Sequence, residues 1–202
     1  MATLKITHDD DNQFSNPRDG CNLGVMACWH KRRTLGDDRK TRFAETPAKD
    51  WLEPWGTSAL LPKEWEASLP KGTISLPMFM FDHSGITIRT SSESFRAQDP
   101  QKFDWGQLGV IVATPEAIMK WFKVLELTDE VLKKAYVVLE LEVKLYDQYL
   151  RGEVWGYEFI GDDDVKESCW GYLGETLEET GLAHAVPEAA KPLLKDAWEA
   201  RQ

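Results

Sequence analysis

Four groups of residues in this chain have types and spacing that could do chemistry. Asp82-His83-Ser84 places an acid, an imidazole and a hydroxyl in a row, the ingredients of a general base and a nucleophile. No Gly-x-Ser-x-Gly elbow surrounds Ser84, and neighbours on a tight turn seldom face one another. A turn in which Asp82 and Ser84 bond the main chain accounts for the same residues. Cys21, Cys28 and His30 form a Cys-x6-Cys-x-His pattern of soft ligands, with Cys169 or His83 as a fourth for zinc. That spacing matches no usual knuckle, and small apolar thiols in a strand are the simpler reading. Asp9-Asp10-Asp11 and Asp162-Asp163-Asp164 are oxygen-rich. Both lack the glycine and the distant glutamate of a calcium loop, so they read as solvated turns. The fourth group is basic: Lys31-Arg32-Arg33 to Arg39-Lys40-Thr41-Arg42, near Trp29 and Phe43. Basic and aromatic residues together could hold a single strand of nucleic acid. They could equally complement the chain's own acidic residues. Gly106-Gln107-Leu108-Gly109 is too short for a phosphate loop and stands before a strand. No cofactor and no metal is expected.

Charge is distributed very unevenly around these groups. The 202 residues carry a net charge of −10, and the whole of it lies between Glu126 and Glu179, with fifteen acidic residues against five basic. The flanking regions are neutral. Such a field steers basic partners and opposes direct nucleic-acid binding. Nine tryptophans and 42% apolar residues give ample material for a core and argue against general disorder. No apolar run is long enough to span a bilayer, and Met1–Asp11 has no apolar signal core. Three scattered cysteines fit reduced thiols in a cytoplasm.

The elements that must position these residues follow from periodicity. Leu4–His8, Leu23–His30 and Leu108–Ala113 read as strands. Leu76–Phe81 and Ile86–Thr90 read as a hairpin, with Gly85 at a positive-φ turn position. Prolines at 47, 54, 62 and 70 make 41–75 an irregular, tryptophan-pinned insertion, with a short helix near Pro62–Ser68. Thr114-Pro115-Glu116 starts a helix that runs to about Val124. Thr128 caps the longest helix, which Gly152 ends. Leu132, Tyr136, Leu139, Val143, Tyr146 and Leu150 mark its buried stripe; Val131, Val138, Leu141 and Leu145 predict burial on a second side. Val154–Ile160 and Val165–Tyr172 pair across Gly161–Asp164. Trp155, Tyr157 and Phe159 are expected to meet Trp170 and Tyr172 on one face. A helix near Gly174–Thr180 stops at Gly181, and a last helix follows Pro187, with Pro192 as a kink or the true start. The fold class expected is α+β: a mainly antiparallel sheet, one long packed helix and a helical C-terminal tail. Residues 1–182 form one domain and 183–202 the tail.

Asn16-Pro17-Arg18, Asn22-Leu23-Gly24, Cys28-Trp29-His30, Leu35-Gly36-Asp37, Asp82-His83-Ser84-Gly85-Ile86, Asp104 with Gly106-Gln107 and Gly109, Tyr146-Asp147-Gln148-Tyr149-Leu150 and Ser168-Cys169-Trp170-Gly171-Tyr172 occur together in the chain. Taken together, these stretches resemble an uncharacterised family of small phage and mobile-element proteins. The likeness covers about two-thirds of the chain and leaves out 41–75. Phe103-Asp104-Trp105 departs from it, standing where a tryptophan, an aspartate and a serine are expected. The resemblance implies a context, the cytoplasm of a bacterial host cell, and no chemistry.

Three functions follow. The leading one is an acidic, non-enzymatic binding protein that inhibits a host defence or nucleic-acid-handling complex. Its partner is a basic host protein or nucleoprotein, met by a helix-hairpin surface of Glu140, Glu142, Asp147, Glu153, Glu158, Asp162, Asp163 and Asp164. The second is a metal-assisted or acid/base hydrolase using His30, Asp82, His83 and Asp104, with Cys21, Cys28, His30 and Cys169 as the weaker metal set. The third is a structural homodimer formed through tryptophan-rich surface.

Overall fold

A computed structural model describes residues 2–9, 16–28, 30, 33–37 and 69–201. Asp10, Asp11, Trp29, Lys31, Arg32, the run Arg39-Lys40-Thr41-Arg42 and most of the proline-rich insertion, with its expected short helix, lie outside the described residues. The chain divides into two compact units, Arg18–Asp147 and Met1–Pro17 with Gln148–Gln202. The expected antiparallel sheet is two sheets, one in each unit, and the class is α+β.

Strands and helices follow along the chain as β1 (Thr3–His8), β2 (Val25–Cys28), β3 (Ile74–Asp82), β4 (Ile86–Arg89), α1 (Glu93–Gln98), β5 (Trp105–Ala113), α2 (Pro115–Phe122) and α3 (Asp129–Leu150). After them come β6 (Val154–Ile160), β7 (Lys166–Leu173), α4 (Leu177–Thr180), α5 (Leu182–Ala185), a 3-10 turn (Glu188–Leu193) and α6 (Leu194–Glu199). Among the described residues, no helix is long and apolar enough to cross a membrane.

The larger unit is built on a four-stranded antiparallel sheet in the order β2-β5-β3-β4. β5 is one of its two inner strands, paired on both edges, and is buried along most of its length. α2 begins as expected: Thr114 Oγ1 accepts from Ala117 N, Pro115 occupies the first turn, and Lys123 ends the helix in the left-handed region. α3 is capped by Thr128 Oγ1, which accepts from Val131 N at 3.3 Å. Ala135, Leu139, Val143 and Tyr146 are its buried face. Tyr136 of the first stripe is exposed, which departs from the expectation, and the second stripe is not buried as expected: Leu141 and Leu145 are exposed and Val131 and Val138 only partly buried. The β3–β4 turn also differs, since Ser84 and not Gly85 takes the positive φ.

The smaller unit has a three-stranded antiparallel sheet, β1-β6-β7. Ile6, Trp155, Tyr157 and Phe159 on one face pack against Leu182, Val186, Ala190 and Leu194 of the C-terminal helices. Burying each such side chain contributes about 1.5–3 kcal/mol. The tail is thus the cover of this sheet, and Pro192 sits at the end of the 3-10 turn, where α6 takes over. Trp155 anchors both sides of the joint: its Nε1 donates to Gly174 O at 2.9 Å, and its ring meets Trp198 edge-on. Arg201 lies over the Trp198 ring, 4.0 Å from its centroid. The expected five-ring cluster is divided. Tyr172 joins Tyr157, whereas Trp170 lies on the opposite face over Gly156. A register shift between Trp155 and Tyr157 separates the two rings. Any Cβ at Gly156 would stand 1.9 Å from the Trp170 ring, so the ring lies where a side chain would otherwise be.

Candidate functional site

The acidic residues singled out in the sequence fall into two groups with opposite roles. Glu142 and Asp147 are turned inward. Glu142 follows Leu139 by three residues and precedes Tyr146 by four, which puts it on the buried face of α3; Asp147 follows Val143 by four. That periodicity was the signal available in the sequence. The Glu142 carboxylate accepts from Leu23 N at 2.6 Å and Gly24 N at 3.2 Å, and from Arg18 Nη1 at 2.9 Å. Asp147 accepts from Ile88 N at 2.7 Å. Both are therefore corrected from partner-binding residues to groups that satisfy buried main-chain donors.

Arg18 is the centre of this arrangement; the sequence marks it only as part of the Asn16-Pro17-Arg18 stretch and gives it no role. Its guanidinium makes a two-bond pair with Asp37, at 2.8 and 2.9 Å, and also donates to Gly24 O at 2.6 Å and to Asn22 Oδ1 at 3.0 Å. Burial alone would lower its pKa, but the bonds to Asp37 and Glu142 outweigh that and hold it above the ordinary value. Asp37 in turn accepts from Met26 N, and Tyr146 Oη accepts from Gly36 N at 2.9 Å. Gly36, at φ +73°, passes so close to Met26 O and Cys28 Sγ that a side chain there would collide. Arg18, Asn22, Leu23, Gly24, Gly36, Asp37, Glu142 and Tyr146 thus serve one buried polar clamp.

The other acidic residues face solvent. Glu140 is exposed on α3 in the larger unit. In the smaller unit, Glu158, Asp162, Asp163, Asp164 and Glu167 are exposed along the β6–β7 hairpin and its turn, while Glu153 is half-buried beside Arg151 at 3.5 Å. The turn is internally held: Gly161 N donates to Val165 O at 2.9 Å and Val165 N to Asp163 Oδ1 at 3.3 Å. Asp164 takes a positive φ of 61°. By sequence, the smaller unit carries fifteen acidic and six basic residues, a balance of −9, and the larger unit nineteen and eighteen. The asymmetry therefore belongs to the smaller unit.

The hydrolase residues lie toward one end of the four-stranded sheet. His83 Nδ1 stands 2.8 Å from Asp104 Oδ2, and the ring is well exposed. Asp104 is fixed from behind, since its N–H donates to Asp99 Oδ2 and its carbonyl accepts from Asp82 N. Asp82 faces away from this pair, toward Arg33 at 3.2 Å, and Ser84 Oγ donates to His83 O, as a turn residue would. His30 follows β2, whose antiparallel register with β5 directs it toward the same end of the sheet. The metal set does not assemble: among the described residues, no three of His, Cys, Asp and Glu are gathered as a cation would require. Cys21 and Cys169 are exposed; Cys28 is half-buried, and burial pushes its thiol up.

Comparisons of the chain with family models, with curated proteins and with solved structures find no match.

Proposed function

We propose that this is an acidic binding protein of a phage or mobile element, which inhibits a host defence or nucleic-acid-handling complex in the bacterial cytoplasm. The carrying observation is the confinement of nine of the ten net negative charges to the smaller unit. Glu158, Asp162, Asp163, Asp164 and Glu167 there sit on a hairpin held by Trp155, Tyr157 and Phe159 against the C-terminal helices. Carboxylates held in place lose little freedom on binding, and a concentrated field of one sign steers a basic groove toward them in place of phosphates. The partner is a basic protein or nucleoprotein, not nucleic acid. Pull-down from bacterial lysate with the parent chain and with the Asp162→Lys/Asp163→Lys/Asp164→Lys triple variant tests it. The account expects basic nucleic-acid-binding proteins on the parent only; equal capture by the triple variant contradicts it.

A second reading, an acid/base hydrolase, is favoured by the His83–Asp104 pair. A carboxylate behind Nδ1 fixes an imidazole with Nε2 free to take a proton. Hydrolysis of activated esters above the level of His83→Ala and Asp104→Ala variants would support it, and identical rates would remove it.

A further inference from the structure

The smaller unit offers a partner main-chain groups as well as charge. β7 is the outer strand of its sheet, with β6 on one side and, among the described residues, no strand on the other. Because Gly161 N bonds Val165 O at the hairpin mouth, the mutually bonded pairs farther on are Phe159 with Glu167 and Tyr157 with Cys169. The N–H and C=O groups of Lys166 and Ser168 therefore point away from β6. Lys166, Glu167, Ser168 and Cys169 are exposed on both faces of the strand, since the C-terminal helices cover Ile6, Trp155, Tyr157 and Phe159 and leave this half of β7 open. Beyond it, the register shift near Gly156 interrupts the regular ladder.

We infer that this edge is a docking strand: an extended segment of a partner protein, bearing lysine or arginine, pairs with Lys166–Cys169 as a fourth strand of the sheet. The inference rests on the acidic-surface reading and names how that surface is engaged. Charge selects the occupant. A strand added here runs beside Glu167, with Glu158 opposite Ser168 on the next strand and the Asp162–Asp164 turn joining the two, and Lys166 is the one basic residue between Arg151 and Lys191. A second copy would bring two units of −9 edge to edge. Lys166 and the irregular register blunt the edge against indiscriminate pairing, as natural edge strands are blunted.

The test uses the full chain and two synthetic peptides of alternating lysine and valine, identical except that one is methylated at every main-chain nitrogen. The unmodified peptide should bind at low salt at least tenfold more tightly, and should slow hydrogen exchange at the Lys166 and Ser168 amides. Equal affinity of the two peptides, or no protection at these amides, overturns the docking strand and leaves the acidic surface standing. Binding of neither peptide at low salt contradicts the acidic-surface reading itself. A doubled mass without peptide, with the same two amides protected, overturns the choice of occupant. In a Ser168→Pro variant that retains the parent's circular dichroism, the unmodified peptide should lose its advantage; an undiminished advantage also overturns the inference.

Discussion

Arg18 is the residue on which the larger unit's irregular N-terminal segment depends. It is buried with two carboxylates, and their remaining lone pairs serve main-chain N–H groups that strand pairing does not reach. Removing the arginine leaves Asp37 and Glu142 near each other without their cation. Arg18→Ala should cost about 3–5 kcal/mol of stability, measured by urea unfolding; a loss below about 1 kcal/mol would mean that the clamp relaxes into water. The cysteines give a second test at this scale. A thiol reagent at neutral pH should label Cys21 and Cys169 quickly in the folded chain and Cys28 far more slowly, because Cys28 is half-buried and burial raises its thiol pKa. Labelling of all three at one rate would contradict the packing of Cys28 against Gly36. Tyr157 and Tyr172 titrate high, chiefly through burial. Their folded pKa values exceed the unfolded value of 10.0, so the stability they contribute is full below pH 10 and declines as pH rises above it toward the folded pKa values. Stability that held level through this range would contradict their burial.

At the scale of elements, α3 shows what sequence pattern can and cannot resolve. Its ends were legible because Thr128 and Gly152 have local reasons to cap and to stop a helix. Its buried stripe was legible at Leu139, Val143 and Tyr146. Which of two apolar stripes faces the sheet was not, because periodicity fixes relative positions and not the direction of the core. Leu139→Ala should cost about 2–5 kcal/mol. Leu141→Ala should change stability by no more than about 0.5 kcal/mol, and comparable losses at the two positions would contradict the orientation of the helix. The hairpins were legible from alternation and turn residues. The split of Trp170 from Tyr172 was not, since a register shift moves a side chain to the other face without changing composition. The assignment of His83 to Asp104, and of Asp82 to Arg33, needed the fold, because these partners are far apart in sequence.

At the scale of the molecule, the charge count gains meaning from the division into units. Read along the chain, the acidic block runs from Glu126 to Glu179 and mixes α3 with the hairpin. In the structure, the larger unit comes close to neutrality and the smaller one keeps −9. Exposed surface charges contribute little stability, so exposed carboxylates such as Glu158, Asp164 and Glu167 gain little from folding. Recognition explains them if the partner is basic. The most direct measurement is elution of captured host proteins from the immobilised chain by rising salt and by added duplex DNA. The account predicts nucleic-acid-binding proteins that are released by both, as screened charges and a competitor for the same groove require. Partners that stay bound in high salt and in excess DNA would contradict it.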